Sequence, residues 1–130
     1  MTIAVDFDGT IVEHRYPEIG AEKPFAIQTL RQLQAEGNRL ILFTSREGKL
    51  LDEAVAFCHE RGLDFFAVNS NQPEKALFHH HTAKVLADVY IDDRNLGGIP
   101  DWDQIYRMIG QQRAAGHEQR ERRRSWFRRR

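Results

Sequence analysis

The segment that most constrains this chain is its opening, where the apolar residues 3–5 run directly into the sequence Asp6-Phe7-Asp8-Gly9-Thr10. A short apolar run of this kind predicts a buried strand, with the acidic residues at the point where the strand meets solvent. In open parallel sheets, ligands bind in the crevice beyond the carboxyl ends of the strands. Asp6 and Asp8 are therefore candidate site residues. The alternative is an ordinary polar turn, in which Asp and Gly are common.

The rest of the chain alternates short apolar runs with segments of helical spacing. This pattern predicts an α/β fold, a Rossmann-like three-layer sandwich with a mostly parallel central sheet and helices on both faces. The predicted strands are residues 3–5, 39–43, 65–68 and 85–91. The predicted helices are residues 21–36, 49–61 and 102–109, and residues 74–82 are ambiguous.

Chemically capable side chains follow three of the predicted strands. They are Asp6 and Asp8, Thr44 and Ser45, and Asp92 and Asp93. Because the carboxyl ends of parallel strands share one edge of a sheet, we expect these residues to converge there. Four carboxylates at one edge would repel each other unless a cation lay among them, and Mg²⁺ prefers such oxygen ligands. The sequence therefore predicts a Mg²⁺ site.

The motif VDFDGTI, residues 5–11, resembles the first motif of the haloacid dehalogenase (HAD) superfamily of phosphohydrolases. The resemblance continues in order to about residue 102, with residues 89–93 similar to the acidic fourth motif. It implies that Asp6 is the nucleophile, which forms an aspartyl-phosphate. It also implies that Asp8 is the general acid/base, with its backbone carbonyl as a further metal ligand.

The later motifs supply the remaining implied roles. The Thr44 hydroxyl resembles the phosphate-binding group of the second motif, and Ser45 is expected to line the site. Lys84, eight positions before Asp92, is the choice for the phosphate-binding lysine, with Lys75 as the alternative. Asp92 is the expected direct Mg²⁺ ligand, and Asp93 acts directly or through water.

The resemblance implies a Mg²⁺-dependent phosphohydrolase without a cap domain, because the segments that could hold a cap are short. Members without a cap often act on large substrates or use a neighbouring subunit as a lid, which leaves a homo-oligomer open. Two other functions stay open. One is a phosphotransferase that uses the same residues, and the other is a non-catalytic Mg²⁺- and phosphate-binding module. The identity of the phosphorylated substrate is open as well.

Charge divides the chain into two parts. Residues 1–112, the expected catalytic domain, hold 11 basic and 17 acidic residues, for a net charge of −6. Residues 113–130 hold eight Arg and two Glu, for a net charge of +6. We expect this tail to be flexible or an extended helix, and to be either a solubilising extension or a contact for nucleic acid or protein.

Several other features have more than one interpretation. Arg46 and Arg94 follow motifs and either contact substrate or are solvated. The run His79-His80-His81 is interpreted as a solvated loop or helix end, because consecutive imidazoles in a regular element cannot all face one ion. A single cysteine, the absence of an 18-residue apolar run and the absence of a basic leader predict a cytoplasmic protein with no membrane contact.

Overall fold

The fold is built on one parallel sheet, as seen in a computed structural model that describes residues 1–73 and 85–128. Its strands are β1 (Thr2–Val5), β2 (Arg39–Leu42), β3 (Ala67–Val68) and β4 (Val89–Ile91), in the spatial order β3-β2-β1-β4. All three strand pairings are parallel. The predicted α/β class with a parallel sheet is thus confirmed.

In the described part of the chain, three helices accompany the sheet: α1 (Ala26–Ala35), α2 (Gly48–Glu60) and α3 (Trp102–Arg128). Apolar residues from all three belong to the larger core cluster, together with Ile3, Val5, Leu40 and Leu42. Because side chains alternate along a strand, these strand residues share one face of the sheet.

The other face of the sheet carries a smaller cluster formed by Ala4, Ile41, Ala67 and Val85. The three described helices therefore pack with the first face, and residues 85–87 with the second. The segment left ambiguous by the sequence, residues 74–82, lies outside the described residues, so the predicted helix on the second face is not tested.

The predicted starts of β4 and α1 differ by several residues from the observed ones. β4 begins at Val89 rather than at residue 85. Before it, the backbone N–H and carbonyl of Leu86 are hydrogen-bonded to the side chain of Asn71. α1 begins at Ala26 rather than at residue 21, because Glu22 instead forms a bridge with Val12. Phe25, directly before α1, is 63% exposed and has a left-handed backbone (φ 67°).

α3 is much longer than predicted, since it continues past residue 109 through the Arg-rich tail. Its first half is anchored by the buried residues Trp102, Ile105 and Ile109. Helix growth from an existing nucleus is favourable, and Ala, Arg, Glu and Gln are good helix formers. Of the two predicted states of the tail, residues 113–128 therefore adopt the extended helix. Within residues 1–73 and 85–128, no helix combines the length and apolarity needed to cross a bilayer.

Candidate active site

The register of the sheet brings the predicted motifs together at one edge. Val5 is the last residue of β1 and pairs with both Leu42 and Ile91, the last residues of β2 and β4. The residues that follow these three strands therefore lie next to one another at the carboxyl edge of the sheet. A backbone hydrogen bond from Asp6 N–H to the Ile91 carbonyl (3.0 Å) continues the pairing into the site.

Three carboxylates meet at this edge. Oxygen atoms of Asp6, Asp92 and Asp93 all lie within 4.8 Å of one another. A set of carboxylate oxygens at this separation suits a hard divalent cation such as Mg²⁺ or Ca²⁺. The three residues thus form the arrangement that could hold the predicted ion, and the Asp8 carboxylate is not one of them.

Asp6 is electrostatically the most perturbed of these groups. Burial and the neighbouring Asp92 carboxylate raise the pKa of Asp6 from 3.8 to about 7, although hydrogen bonds from the Phe7 backbone and Thr10 act in the opposite direction. A cation bound by these carboxylates would balance the charge that otherwise favours protonation of Asp6. Proton and cation are expected to compete for Asp6.

Thr10 holds two of the acidic groups in place. Its hydroxyl donates to Asp6 Oδ2 (3.1 Å) and accepts from the Asp93 backbone N–H (3.1 Å). The carbonyl of the fully buried Thr10 accepts a hydrogen bond from Trp102 Nε1 (3.1 Å). The start of α3 therefore fixes the loop after β1, and that loop fixes the spacing of the carboxylates.

Gly9 leaves room for Asp93. Its backbone has φ +81°, and a Cβ atom at this position would lie 2.1 Å from Asp93 Oδ2. Any side chain would therefore strain the backbone and displace a carboxylate of the cluster.

We expect Gly9→Ala to abolish divalent-cation binding at this site, because the new methyl group occupies the position of the Asp93 carboxylate. Isothermal titration with Mg²⁺ measures the effect. Gly37→Ala is the matched control, since Gly37 has a similar backbone (φ +94°) but nothing within 4 Å of its Cβ position. Equal Mg²⁺ affinity in the two variants would contradict the proposed placement of the ion.

Asp8 points to a different partner, Arg46. The guanidinium donates from Nε to Asp8 Oδ2 (2.7 Å) and from Nη2 to Asp8 Oδ1 (2.8 Å), which makes a two-pronged ion pair. The hydrogen bonds to Asp8 raise the pKa of Arg46 further. The carboxylates of Asp6 and Asp8 thus have different neighbours, since that of Asp6 lies in the acidic cluster and that of Asp8 pairs with the Arg46 guanidinium.

Arg46 also ties separate segments together. Its side chain is fully buried and donates to the carbonyls of Glu18 (2.9 Å) and Leu50 (3.3 Å). Its guanidinium also lies 5.3 Å from the ring centroid of Phe7 and 5.2 Å from that of Tyr16. The interpretation of Arg46 as a solvated arginine is therefore wrong, because burial of a guanidinium requires these partners.

Thr44 lies at the end of β2, as predicted, and is buried. Its hydroxyl accepts the Arg46 backbone N–H (3.1 Å), and its own N–H donates to Asn69 Oδ1 (2.8 Å). The hydroxyl hydrogen remains able to donate to a bound phosphate. Ser45 is exposed beside it.

An open cleft of about 690 Å³ joins these groups. Its lining comprises all six predicted residues of the described part of the chain and four others. They are Asp6, Asp8, Thr44, Ser45, Asp92 and Asp93, together with His14, Tyr16, Phe43 and Arg94. Arg94 is exposed at the rim, so both predicted interpretations of it remain open. Lys84, its alternative Lys75 and the run His79-His80-His81 lie outside the described residues.

Several residues of the site were not predicted from the sequence. His14 and Tyr16 line the cleft from a loop whose polar composition gives no sign of it. Asn69 accepts a hydrogen bond from the Thr44 N–H, and Thr10 accepts one from the Asp93 N–H. A signal existed for Asn69, since it directly follows β3 at the same edge of the sheet as the other motifs.

Comparison with known proteins gives one similar solved structure. No protein-family model matches the chain, and no curated protein matches it. Among solved structures, that of a conserved protein from Bacteroides thetaiotaomicron is similar, with 60% sequence identity and a TM-score of 0.80. The match covers 86% of this chain and 91% of that one. At this identity and coverage, the chain belongs to the same family as the conserved Bacteroides thetaiotaomicron protein.

Proposed function

We propose that the protein is a Mg²⁺-dependent phosphohydrolase that acts through an aspartyl-phosphate on Asp6. The observation that carries the proposal is the cluster of Asp6, Asp92 and Asp93 within 4.8 Å, in a cleft that Thr44 also lines. The resemblance of residues 5–11 and 89–93 to HAD motifs adds support, because it assigns a role to each of these residues. The substrate is a phosphate monoester.

The residues of the candidate active site divide the steps of the reaction between them in this proposal. Asp6, Asp92 and Asp93 would hold the cation, which when bound offsets negative charge on the phosphoryl group. The Thr44 hydroxyl donates to a phosphate oxygen. A carboxylate oxygen of Asp6 attacks phosphorus, and the bond from phosphorus to the leaving oxygen breaks. Water then attacks the phosphorus of the aspartyl-phosphate and releases inorganic phosphate, which restores the Asp6 carboxylate.

Asp8 is the proposed acid/base, and its ion pair with Arg46 sets a condition on that role. Both Asp8 oxygens accept hydrogen bonds from the guanidinium, a geometry that fits an ionised carboxylate. This form is ready to take a proton from the attacking water. To protonate a leaving group, Asp8 must first release at least one of its bonds to Arg46 and take up a proton from solvent.

The same ion pair favours a second candidate function, a module that binds Mg²⁺ and phosphate without turnover. If Asp8 stays paired with Arg46 throughout, the leaving oxygen receives no proton from it. The two functions share every binding residue, so binding experiments do not separate them. A measurement of substrate hydrolysis does separate them.

We expect Mg²⁺ affinity to depend on pH through Asp6. Its raised pKa of about 7 means that the carboxyl is protonated below this pH and must lose that proton to bind the ion. Affinity should therefore fall by about tenfold from pH 8 to pH 6 and level off at higher pH. Isothermal titration across this range measures it, and an affinity unchanged between pH 6 and 8 would contradict the role of Asp6 as ligand.

The test of the proposed function is hydrolysis of an aryl phosphate with and without Mg²⁺. We expect Mg²⁺-dependent turnover that Asp6→Asn lowers by at least about a thousandfold, since the nucleophile is lost while its size is kept. Asp52→Asn, at an exposed position on α2, is the matched control and should retain full activity. Turnover that survives Asp6→Asn would contradict the mechanism. If no member of a panel of phosphate esters turns over although Mg²⁺ binds, the binding module is supported instead.

A further inference from the structure

The second half of α3 carries a row of basic side chains along one side. These residues, called here the basic stripe, are Arg113, His117, Arg120, Arg124 and Arg128. Their spacing of three or four residues keeps them within an arc of about 80° on a helix of 3.6 residues per turn, over a length of about 22 Å. A row of this kind concentrates positive charge on one side of the helix.

The basic stripe lies away from the candidate active site. α3 starts at the carboxyl edge of the sheet, where Trp102 contacts Thr10. It reaches the opposite edge at Gln112 and Arg113, which donate to the carbonyls of Asp88 and Glu36. Asp88 and Glu36 precede β4 and β2, so residues 114–128 extend beyond the amino edge of the sheet.

This extension is open to solvent and positively charged. All of residues 114–128 except Gly116 and Ser125 are exposed. A groove of about 540 Å³ runs along the stripe, lined by Arg113, His117, Arg120 and Arg124, among others. Arg124 pairs with Glu121 (3.4 Å), whereas Arg120 and Arg128 donate to the helix carbonyls of Gly116 and Arg124 and have no acidic partner within residues 1–73 and 85–128.

An aromatic side chain flanks the stripe near its end. Phe127 is 68% exposed and packs edge to face on Trp126, with ring centroids 4.9 Å apart. At helical spacing, Phe127 lies three residues from Arg124 and seven from Arg120, hence on the same side of α3. An exposed ring beside a row of arginines is the combination that binds unpaired bases and their phosphates.

We propose that the basic stripe binds single-stranded nucleic acid, with its arginines on successive phosphates and Phe127 stacked on a base. A duplex offers no unpaired base to this ring. An anionic membrane is disfavoured because the opposite side of the helix carries Glu118, Gln119 and Arg122 between Ala115 and Trp126, and so has no continuous apolar face. The nucleic acid would bind at the end of α3 that lies away from the candidate active site. The basic stripe would thus attach the protein to the nucleic acid without entering that site. The proposal is independent of the proposed function.

The test uses the full-length protein and a fluorescein-labelled oligouridine of about 20 nucleotides, with binding followed by fluorescence anisotropy at several salt concentrations. Arg120→Glu reverses a charge on the stripe, and Arg122→Glu makes the same change two residues away on the opposite side of α3. We expect Arg120→Glu to weaken binding at least about tenfold and to lower the salt dependence, with less than about a threefold change for Arg122→Glu. Phe127→Ala should weaken binding about fivefold or more.

Several outcomes would overturn this proposal. They are no binding of the oligonucleotide at low salt, equal weakening by Arg120→Glu and Arg122→Glu, or binding of a duplex of the same length as tight as that of the single strand. Two further results would assign the stripe to another partner. One is a salt-sensitive dimer that Arg120→Glu dissociates while oligouridine fails to bind. The other is binding to phosphatidylserine vesicles without binding to oligouridine. Circular dichroism at matched concentration verifies that both charge-reversal variants keep the helix.

Discussion

Arg46→Met should lower the free energy of unfolding by about 3–5 kcal/mol. The substitution removes the cation from a side chain with no exposed surface and leaves the Asp8 carboxylate, only 12% exposed, without its partner. It also removes the donors to the carbonyls of Glu18 and Leu50. The loss thus combines an unpaired buried charge with two lost hydrogen bonds. Urea unfolding followed by circular dichroism measures it.

Arg94→Met is the matched control, since Arg94 also lines the cleft but is exposed. Its free energy of unfolding should change by less than about 0.5 kcal/mol. Arg46→Lys should recover only part of the loss, because an ammonium group cannot make the two-pronged contact with Asp8. Equal stability of Arg46→Met and wild type would contradict the role assigned to the ion pair.

Asp6→Asn should have opposite effects on stability with and without Mg²⁺. In the metal-free protein at pH 8, the charged Asp6 is destabilising, since burial and Asp92 raise its pKa from 3.8 to about 7. A full shift of this size corresponds to about 4 kcal/mol, which we reduce to about 2 kcal/mol because solvent reaches part of the side chain. The variant should therefore be more stable than wild type by about this amount.

The dependence of this effect on pH follows from linkage. The folded protein holds the Asp6 proton more tightly than the unfolded chain, so the stability of the metal-free wild type falls as the pH rises from about 4 to about 7. The advantage of Asp6→Asn should develop over the same range. At saturating Mg²⁺ the wild type should instead be more stable than Asp6→Asn, because the ion stabilises only the wild type.

Thermal unfolding at pH 5 and pH 8, with and without Mg²⁺, measures both effects. Asp52→Asn should follow the wild type under all four conditions, since Asp52 is exposed on α2. An Asp6→Asn variant less stable than metal-free wild type at pH 8 would contradict the electrostatic account. An equal Mg²⁺-induced shift in the two proteins would contradict the assignment of Asp6 as a ligand.

The sequence was sufficient to predict the parallel sheet and the convergence of motifs at its edge. Both follow from short-range features, namely apolar runs such as residues 39–43 and the polar residues directly after them. Asp6, Thr44 and Asp92 each lie within two residues after the end of a strand, and parallel pairing alone brings such residues together. No knowledge of side-chain packing was needed for this part of the site.

The features that were not predicted depend on long-range contacts. Arg46 directly follows a motif, but its burial results from Asp8 and Glu18, which lie 38 and 28 residues away. The length of α3 was missed because apolar periodicity ends at residue 109, whereas helix growth continues from the packed first half. Side-chain pairing through Asn71 shortened β4 relative to its apolar run.

The central claim is tested most directly by trapping the phosphoenzyme. The protein is mixed with an aryl phosphate and Mg²⁺, quenched in acid during turnover, and analysed by peptide mass mapping. The account predicts one added phosphoryl group on the peptide that contains Asp6, removed by hydroxylamine as expected for an acyl phosphate and absent from Asp6→Asn. Turnover with a phosphoryl group on any other residue, or with the same adduct in Asp6→Asn, would contradict it.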